Sequence, residues 1–206
     1  WAYSKQFLSM TDDQYFYAVP ADVSEPQKRL VLRGDEARHC LTVLRKQIGD
    51  SFFVVDGVGH EYAVAVTGRN KETVTCAIRE TKFRPRELPL EITLAQALIK
   101  KDHFDWVAEK ATELGVCSII PMQTERSLVE PGANKLARWQ KILMSAMKQS
   151  RRSVLPRLQP ISSFQDIVRS AEPYEMKIIF HERSDRPLDA ALMDSSVRRL
   201  LFLIGP

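Results

Sequence analysis

The sequence is poor in residues that crosslink or disorder a chain. Its 206 residues include 3 cysteines, 8 glycines and 11 prolines. The cysteines, Cys40, Cys76 and Cys117, are odd in number and have no CxxC spacing, so neither a disulfide framework nor a zinc site is indicated. A reducing cytoplasm is the compartment that fits best. The low glycine and proline content argues against a low-complexity or disordered chain.

Long apolar runs are also missing. The longest run, Leu200 to Ile204, is far shorter than the roughly 20 residues that span a bilayer. The first residues lack the basic-then-apolar order of a signal peptide. We therefore expect neither membrane insertion nor secretion, and we interpret residues 1–9 as an extension outside the folded domains.

Several well-known cofactor and catalytic motifs are absent. The sequence has no GxGxxG after a strand, no GxxxxGK[ST], no HExxH and no GxSxG. These absences argue against a dehydrogenase, a P-loop kinase, a metalloprotease and an α/β-hydrolase. The net charge of +4 is a mild excess that favours a polyanionic partner without requiring one.

Two different patterns divide the chain. Between Tyr15 and about Glu80, short runs rich in β-branched and aromatic residues predict a small β-barrel or half-barrel. The runs are YFYAV, RLVLR, SFFVVDG, EYAVAV and TVTCAI, and one inserted helix is predicted in GDEARHCLTVLRKQIGD. We predict a β-domain over residues 10–82, a proline-containing linker over 83–90, and a second domain over 91–206.

In the second domain, strands alternate with helices, which predicts an α/β fold whose parallel sheet is covered on both faces. The predicted strands are ITLAQAL, CSIIP, MKIIF and LLFLI, and helices are predicted after Asp102, near Asn134, around Phe164 and, weakly, near Leu188 to Leu192. The first of these helices closes at Gly115, and its expected apolar stripe is Phe104, Val107, Ala108, Ala111 and Leu114.

Ligands of parallel α/β sheets bind beyond the carboxyl ends of the strands. The loops to consider are therefore IKKD, TERS, HERSD and the final Gly-Pro. Among them, His181 and Glu182 end a strand and are candidates for ligand contact. Lys100 and Lys101 suit either a phosphate or substrate contact or plain exposure.

Further along the chain, KQSRRSVLPR (148–157) closes a helix with clustered cations. This cluster could bind phosphates or complement the dipole at the helix C-terminus. Lys110 and Glu113 could form a weak surface pair. A lone histidine on the polar side of the inserted helix, His39, is more often structural than catalytic.

Taken in order, several blocks of the chain resemble the RsmE family. These blocks are LRGDEARHCLTVLRKQIGD, VVDG, LAQALIKKDHFDWVAEKATELGV, PMQTERSLV, RWQKILMSAMKQSRRSVLP and LIGP. Members are bacterial methyltransferases that modify N3 of a uridine in 16S ribosomal RNA. The resemblance implies a PUA-like N-terminal β-domain that helps to hold RNA. It also implies a SPOUT-type α/β domain whose C-terminal trefoil knot binds S-adenosylmethionine, and pairing of two subunits into a homodimer.

The resemblance also implies roles for individual residues, in a protein that needs no metal and acts on the small ribosomal subunit. The residues expected at the uridine are Arg126, Arg152 and Gln149. Those expected at the cofactor are His181, Glu182, Ile204, Gly205 and Pro206. Those expected to contact RNA are Arg33, His39, Arg45, Lys100, Lys101 and Arg151. No general base is evident, and replacing Arg152 by alanine is expected to reduce methylation more than folding.

Two departures from the family pattern bear on these expectations. Relatives continue from Ile-Gly-Pro into Glu-Gly-Gly and a further helical segment, whereas this sequence ends at Pro206. We therefore expect a methyltransferase domain truncated at its C-terminus, with an incomplete knot. Gln14 stands where relatives commonly have arginine, which weakens a phosphate contact there. The alternatives are an RNA-binding relative without catalysis and a SPOUT methyltransferase that acts on another RNA position.

Overall fold

A computed structural model describes residues 14–99, 103–125, 127, 132–184, 188 and 196–205. The chain forms two compact units. The N-terminal unit comprises Trp1–Glu87 with Arg151–Val154, and the C-terminal unit comprises Leu88–Ser150 with Leu155–Pro206. The division between Glu87 and Leu88 falls inside the predicted linker. The assignment of residues 151–154 to the N-terminal unit was not predicted from the sequence.

The N-terminal unit contains a six-stranded sheet. Its strands are β1 (Tyr15–Tyr17), β2 (Val23–Ser24), β3 (Arg29–Arg33), β4 (Ser51–Val55), β5 (His60–Arg69) and β6 (Thr73–Phe83). The strand order is β1-β4-β5-β6-β3-β2, in which only β1 and β4 pair in parallel. Each of the five predicted runs forms a strand. In β3 the buried Leu30 and Leu32 alternate with the more exposed Arg29, Val31 and Arg33, which is the period of two expected of a strand with one buried face.

The inserted helix is shorter than predicted. It runs as α1 over Gly34–Arg38 and continues as one π-helical turn over His39–Val43. The N–H of Leu44 donates to the carbonyl of His39 at 3.1 Å, five residues back. Arg45 then takes a left-handed φ of 53°, which ends the helix well before the predicted end.

The core of the N-terminal unit is aromatic and aliphatic, with two thiols inside it. The rings of Phe16 and Phe52 lie 4.6 Å apart between centroids. Cys40 and Cys76 are buried in the same cluster, and all three cysteines of the chain are free. Burial raises the pKa of the Cys40 thiol to about 11, so this thiol is protonated at neutral pH.

The C-terminal unit alternates strands with helices, as predicted. Its elements are β7 (Glu91–Ala97), α2 (His103–Glu113), β8 (Ser118–Gln123), α3 (Ala133–Gln149), β9 (Arg157–Leu158), β10 (Ser162–Ser163), α4 (Phe164–Arg169), β11 (Met176–Phe180) and β12 (Arg199–Ile204). The strand order is β10-β8-β7-β12-β11, with β9 also paired to β8, and every pair is parallel. The two short strands β9 and β10 were not predicted. The weak helix predicted near Leu188 to Leu192 lies mostly outside the described residues.

Both faces of this parallel sheet are covered. Consecutive residues of β7, Leu94 and Ala95, belong to two different buried clusters. The cluster around Leu94 includes Phe104 of α2 and Trp139 of α3, whereas the cluster around Ala95 includes Ile167 of α4. The predicted α/β architecture with helices on both faces is therefore confirmed. No helix in the described part of the chain has the length and apolarity needed to cross a membrane.

The predicted apolar stripe of α2 is wrong at one position, Leu114. Phe104, Ala108 and Ala111 are buried, but Leu114 is 76% exposed. The helix ends at Glu113, and the chain turns at Gly115 with a φ of 103°. A Cβ at Gly115 would lie 2.6 Å from a side-chain carbon of Leu88, so only glycine allows this turn.

We expect Trp139→Ala to lower the free energy of unfolding by about 3–5 kcal/mol because it empties a buried aromatic site. The Trp139 ring packs 4.2 Å from the Phe104 ring, and its indole N–H donates to Asp105 at 2.8 Å. The measurement is urea unfolding followed by circular dichroism. Trp106 of α2 is 65% exposed and gives the matched control. Trp106→Ala should change the stability by no more than about 0.5 kcal/mol, and equal losses in both variants would contradict the packing described here.

Candidate active site

The carboxyl ends of four strands in the C-terminal unit lie at the same level of the sheet. Phe180 of β11 pairs with Ile204 of β12, and Ile204 pairs with Gln96 of β7. Ala97, the last residue of β7, pairs with Met122 near the end of β8. The loops that follow these strands therefore meet along one edge, which we call the carboxyl edge. Ligands of parallel α/β sheets bind at this kind of edge.

A tight turn follows β11 at the carboxyl edge. The N–H of Arg183 donates to Nδ1 of His181 at 3.1 Å, and the N–H of Ser184 donates to the His181 carbonyl at 3.1 Å. Nδ1 acts as an acceptor in this geometry, so the ring proton is on Nε2. The neighbouring Glu182 carboxylate is exposed. The structure thus places these two predicted cofactor residues, His181 and Glu182, at the carboxyl edge.

The end of β12 lies beside this turn. Ile204 is half-buried and Gly205 is exposed. A Cβ built on Gly205 would meet none of the described atoms within 4 Å, apart from those of its chain neighbours. Two further predicted cofactor residues, Ile204 and Gly205, therefore lie at the same edge. Pro206 lies outside the described residues.

A glutamine that was not predicted from the sequence, Gln123, also lies at this edge. Oε1 of Gln123 is buried at the end of β8 and has no hydrogen-bond partner in the described part of the chain. The Gln123 amide nitrogen donates to the Ser127 carbonyl at 3.3 Å, and the Thr124 N–H donates to the Ser127 hydroxyl at 3.1 Å. A buried, unpaired carbonyl oxygen is costly, so a donor group of a ligand would fit here. The sequence signal that could have identified Gln123 is a polar residue at the end of a buried strand, next to a candidate loop.

The other residues predicted for the C-terminal unit are only partly described. Gln149 is the last residue of α3 and is exposed. Arg126, Lys100 and Lys101 lie outside the described residues. Their roles at the uridine and on RNA remain predictions.

Arg152 lies in the N-terminal unit and is buried. Its guanidinium donates twice to Oε2 of Glu87, from Nη2 at 2.7 Å and from Nε at 3.1 Å. The side chains of Arg152 and Glu87 are 4% and 1% exposed. This geometry is that of a buried structural ion pair. It changes the expectation that Arg152→Ala would spare folding.

The Glu87 carboxylate also accepts hydrogen bonds from the backbone of the two residues that follow Arg152. Its Oε1 accepts from the N–H of Ser153 at 2.9 Å and from the N–H of Val154 at 3.0 Å. Burial by itself raises the pKa of Glu87. The hydrogen bonds and charge of Arg152, with these two N–H groups, outweigh burial and hold the pKa below its ordinary value. Glu87 was not predicted, because it lies in the expected linker.

Arg151 is exposed next to this pair, in a left-handed conformation. Its φ is 59°, and its carbonyl accepts a hydrogen bond from Nε of Arg86 at 2.8 Å. The fold therefore separates the adjacent arginines of the KQSRR block. Arg152 points into the unit and Arg151 stays at its surface.

The remaining residues predicted to contact RNA flank the inserted helix. Arg33 precedes α1 and pairs with Asp22 at 2.8 Å, while most of its side chain stays exposed. His39 begins the π-helical turn, with its ring 5.9 Å from that of Phe16, and Arg45 follows the turn. One short segment thus carries Arg33, His39 and Arg45, and all three are exposed.

Comparison with known proteins identifies two domains. Residues 86–206 match the RNA methyltransferase domain family, and residues 32–79 match the RNA methyltransferase PUA domain family. The chain is 28% identical to ribosomal RNA small subunit methyltransferase E of Bacillus subtilis over 203 residues. This alignment covers 94% of this chain and 79% of that protein. The identity to the enzyme of the same name from Aquifex aeolicus is 32% over 183 residues, covering 86% of this chain and 76% of that protein.

A solved structure agrees with this result. The structure of ribosomal RNA small subunit methyltransferase E from Neisseria gonorrhoeae, bound to S-adenosyl methionine, matches with a TM-score of 0.83 and 30% identity. The match covers 95% of this chain and 80% of that chain. The chain belongs to the ribosomal RNA small subunit methyltransferase E family.

Membership of the methyltransferase E family confirms the predicted family and enzyme class. It also confirms the predicted fold class, a PUA-like β-domain followed by a SPOUT-type α/β domain. The matched PUA segment lies within the N-terminal unit, and the matched methyltransferase segment contains the carboxyl edge. Among the described residues, no group of three or more His, Cys, Asp and Glu side chains is arranged to hold a metal ion.

We expect Arg152→Ala to destabilise the protein by about 3–5 kcal/mol, because it leaves the Glu87 carboxylate buried without its counter-charge. Chemical unfolding measures this effect. Arg157→Ala is a suitable control, since Arg157 is an exposed arginine a few residues further along. The double variant Arg152→Met/Glu87→Met should be more stable than Arg152→Ala, because it buries no unpaired charge. If Arg152→Ala unfolds like the wild type, the pair contributes nothing to stability.

The low pKa of Glu87 predicts a specific acid sensitivity. A carboxylate whose pKa is lower in the folded state stabilises the protein above its unfolded pKa and loses this effect as the pH falls through the folded value. The stability provided by Glu87 should therefore decrease as the pH falls below its ordinary pKa of 4.5. Unfolding curves measured between neutral and acidic pH should show a shallower pH dependence for Glu87→Gln than for the wild type. An unchanged slope would exclude Glu87 as a source of acid sensitivity.

Proposed function

We propose that this protein transfers a methyl group from S-adenosylmethionine to N3 of a specific uridine in 16S ribosomal RNA, as a cytoplasmic homodimer acting on the small ribosomal subunit. The observation that carries the proposal is the match to a methyltransferase E structure bound to S-adenosyl methionine, which covers 95% of this chain. The chemistry of that edge supports the same activity.

The carboxyl edge suits a cofactor that carries no phosphate. Backbone N–H and C=O groups at Ile204 and Gly205, at the end of β12, would hold the adenine ring. The exposed Glu182 carboxylate is suited to ribose hydroxyls or to the amino group of the methionine part. When bound, the cofactor supplies a methyl group on a positively charged sulfur. A glycine-rich phosphate loop is not required for this ligand, in agreement with its absence from the sequence.

Uridine N3 becomes a nucleophile only after its proton passes to solvent water. N3 then forms a bond to the methyl carbon while the carbon–sulfur bond breaks, and the bonding pair goes to sulfur to leave S-adenosylhomocysteine. Nearby cations lower the free energy of the uridine anion, which is the role we assign to Arg126 and Lys100. The exposed amide of Gln149 is suited to orient the carbonyl groups of the base.

The roles of the two arginines in the KQSRR block follow from their burial. Arg152 is held by Glu87 inside the N-terminal unit, so we assign it a positioning role through the segment that it anchors. Arg151 is exposed, and we assign it an RNA contact. Arg33, His39 and Arg45 would bind the phosphate backbone from the surface of the same unit.

The decisive experiment supplies radiolabelled S-adenosylmethionine and small ribosomal subunits from a strain that lacks methyltransferase E. Digestion of the 16S RNA to nucleosides should yield labelled N3-methyluridine. A different labelled nucleoside would indicate a methyltransferase for another RNA position. RNA binding with no transfer would indicate a binding protein, and it would overturn the proposed activity. Sedimentation of the purified protein tests the homodimer.

We expect Gly205→Val to fold normally and to bind S-adenosylmethionine at least tenfold more weakly, a loss of about 1.4 kcal/mol. The added side chain would meet none of the described atoms at its Cβ and would occupy space that we assign to the cofactor. Calorimetric titration with the cofactor measures the effect. Gly68→Val in β5 is the control, since its Cβ would be 3.8 Å from the nearest atom in a strand of the other unit. Wild-type affinity in Gly205→Val would remove Gly205 from the cofactor site.

A further inference from the structure

We propose that one end of the β5–β6 hairpin in the N-terminal unit binds single-stranded RNA. Phe83 stacks on an unpaired base, and Arg84 and Arg151 bind the flanking phosphates. This inference rests on the proposed function, because it takes ribosomal RNA as the substrate. It adds a base-stacking site to the phosphate contacts already assigned to this unit.

Phe83 is a large aromatic residue that lies mostly in solvent, yet its ring is fixed in place. It is 65% exposed at the last position of β6. The ring packs against His60, with 5.1 Å between the centroids, and its Cε2 would be only 2.9 Å from a Cβ at Gly59. Gly59 has a φ of 121°, so both its conformation and its lack of a side chain permit this contact. The ring is therefore supported on one side and available on the other.

The cations beside this ring belong to an unusual set. In the described part of the chain, the non-glycine residues with positive φ are Lys28, Arg45, Arg84 and Arg151. All four are cationic, although lysine and arginine make up only 30 of the 206 residues. Asn, Asp and His are the types normally enriched in this region of φ. Backbone strain of this kind persists mainly where function requires a particular side chain.

Two of these cations, Arg84 and Arg151, are tied to the turn that supports Phe83. The N–H of Arg84 donates to the Gly59 carbonyl at 2.7 Å, and the N–H of Gly59 donates to the Ser153 carbonyl at 3.0 Å. The Arg151 carbonyl is held by Arg86 at 2.8 Å. These backbone bonds place the Phe83 ring, Arg84 and Arg151 at one end of the sheet.

Among the described residues, three acidic side chains near this end are buried and paired. Glu61 is 3% exposed and pairs with Arg86, and Glu87 pairs with Arg152. Asp56 is buried and its Oδ1 accepts from the backbone of the turn. These three carboxylates are therefore compensated inside the unit, whereas Arg151 lies at its surface, and surface cations attract a polyanion.

On the strand that leads to Phe83, the exposed carboxylate of Glu80 pairs with Lys82 at 3.4 Å, so this pair adds no net charge. An exposed ring flanked by cations is the arrangement that binds single strands, in which bases stack on aromatic side chains and the backbone follows positive charge. An RNA duplex keeps its bases stacked internally, so the ligand must present an unpaired base.

The test measures the affinity of the full chain for a fluorescent single-stranded RNA oligonucleotide, without cofactor, at several salt concentrations. Phe83→Leu should weaken binding by roughly 5- to 100-fold, whereas Phe83→Tyr should bind like the wild type because it keeps the stacking ring. Arg84→Ala should reduce the slope of log Kd against log salt concentration by about 1, the change expected when one phosphate contact is lost. Arg151→Gly should weaken binding while it raises the melting temperature by roughly 2–4 °C, because glycine relieves the left-handed strain.

Lys71→Ala is the matched charge control, because Lys71 is an exposed cation in the turn at the opposite end of the same hairpin. An equal loss in Lys71→Ala and Arg84→Ala would reduce the effect to overall charge and overturn the site. Wild-type RNA affinity in Phe83→Leu would also overturn it, as would a change in oligomeric state without a change in affinity, which would make the patch a protein contact. Uridine methylation is measured separately on the same variants. A wild type that binds through Phe83 but never methylates contradicts the proposed function and leaves the RNA site standing.

Discussion

The N-terminal unit depends on one buried carboxylate. Glu87 binds the guanidinium of Arg152 and two backbone N–H groups, and these bonds hold Arg151–Val154 against a sheet built from residues more than 60 positions earlier. Removing a single partner would leave a charge in an apolar environment. The adjacent Arg86 acts in the same way, since it binds the buried Glu61 and the Arg151 carbonyl. Two neighbouring residues of opposite charge, Arg86 and Glu87, thus hold Arg151–Val154 within the N-terminal unit.

Local composition and spacing account for most of what the sequence predicted correctly. Runs rich in β-branched and aromatic residues predicted the strands of the first sheet, and helical spacing predicted the α2 stripe, of which Phe104, Ala108 and Ala111 are buried. The partnership of Glu87 with Arg152 has no such local signal, because 65 positions separate the two residues. Glu87 stands between arginine and proline residues in a stretch with little periodicity. From the sequence alone, such a stretch is interpreted as a linker.

At the candidate site, too, strand topology was predictable from the sequence, whereas side-chain burial and contacts were not. The rule that ligands bind at the carboxyl ends of parallel strands indicated only candidate loops, HERSD and the final Gly-Pro among them. The family resemblance then assigned His181, Glu182, Ile204 and Gly205 to the cofactor. Burial was not predictable from composition, so Arg152 looked like an exposed cation of the KQSRR block. Gln123 was not predicted because its unpaired oxygen is a property of the folded environment and not of the residue type.

The assignment of residues 151–154 to the N-terminal unit has a consequence for biosynthesis. A ribosome makes the chain from its N-terminus, and the six strands of the first sheet are complete at Phe83. The Glu87 carboxylate still has no Arg152 to bind until Val154 has emerged, after β7, α2, β8 and α3 have been synthesised. The first unit to begin folding therefore cannot finish before most of the second has been made.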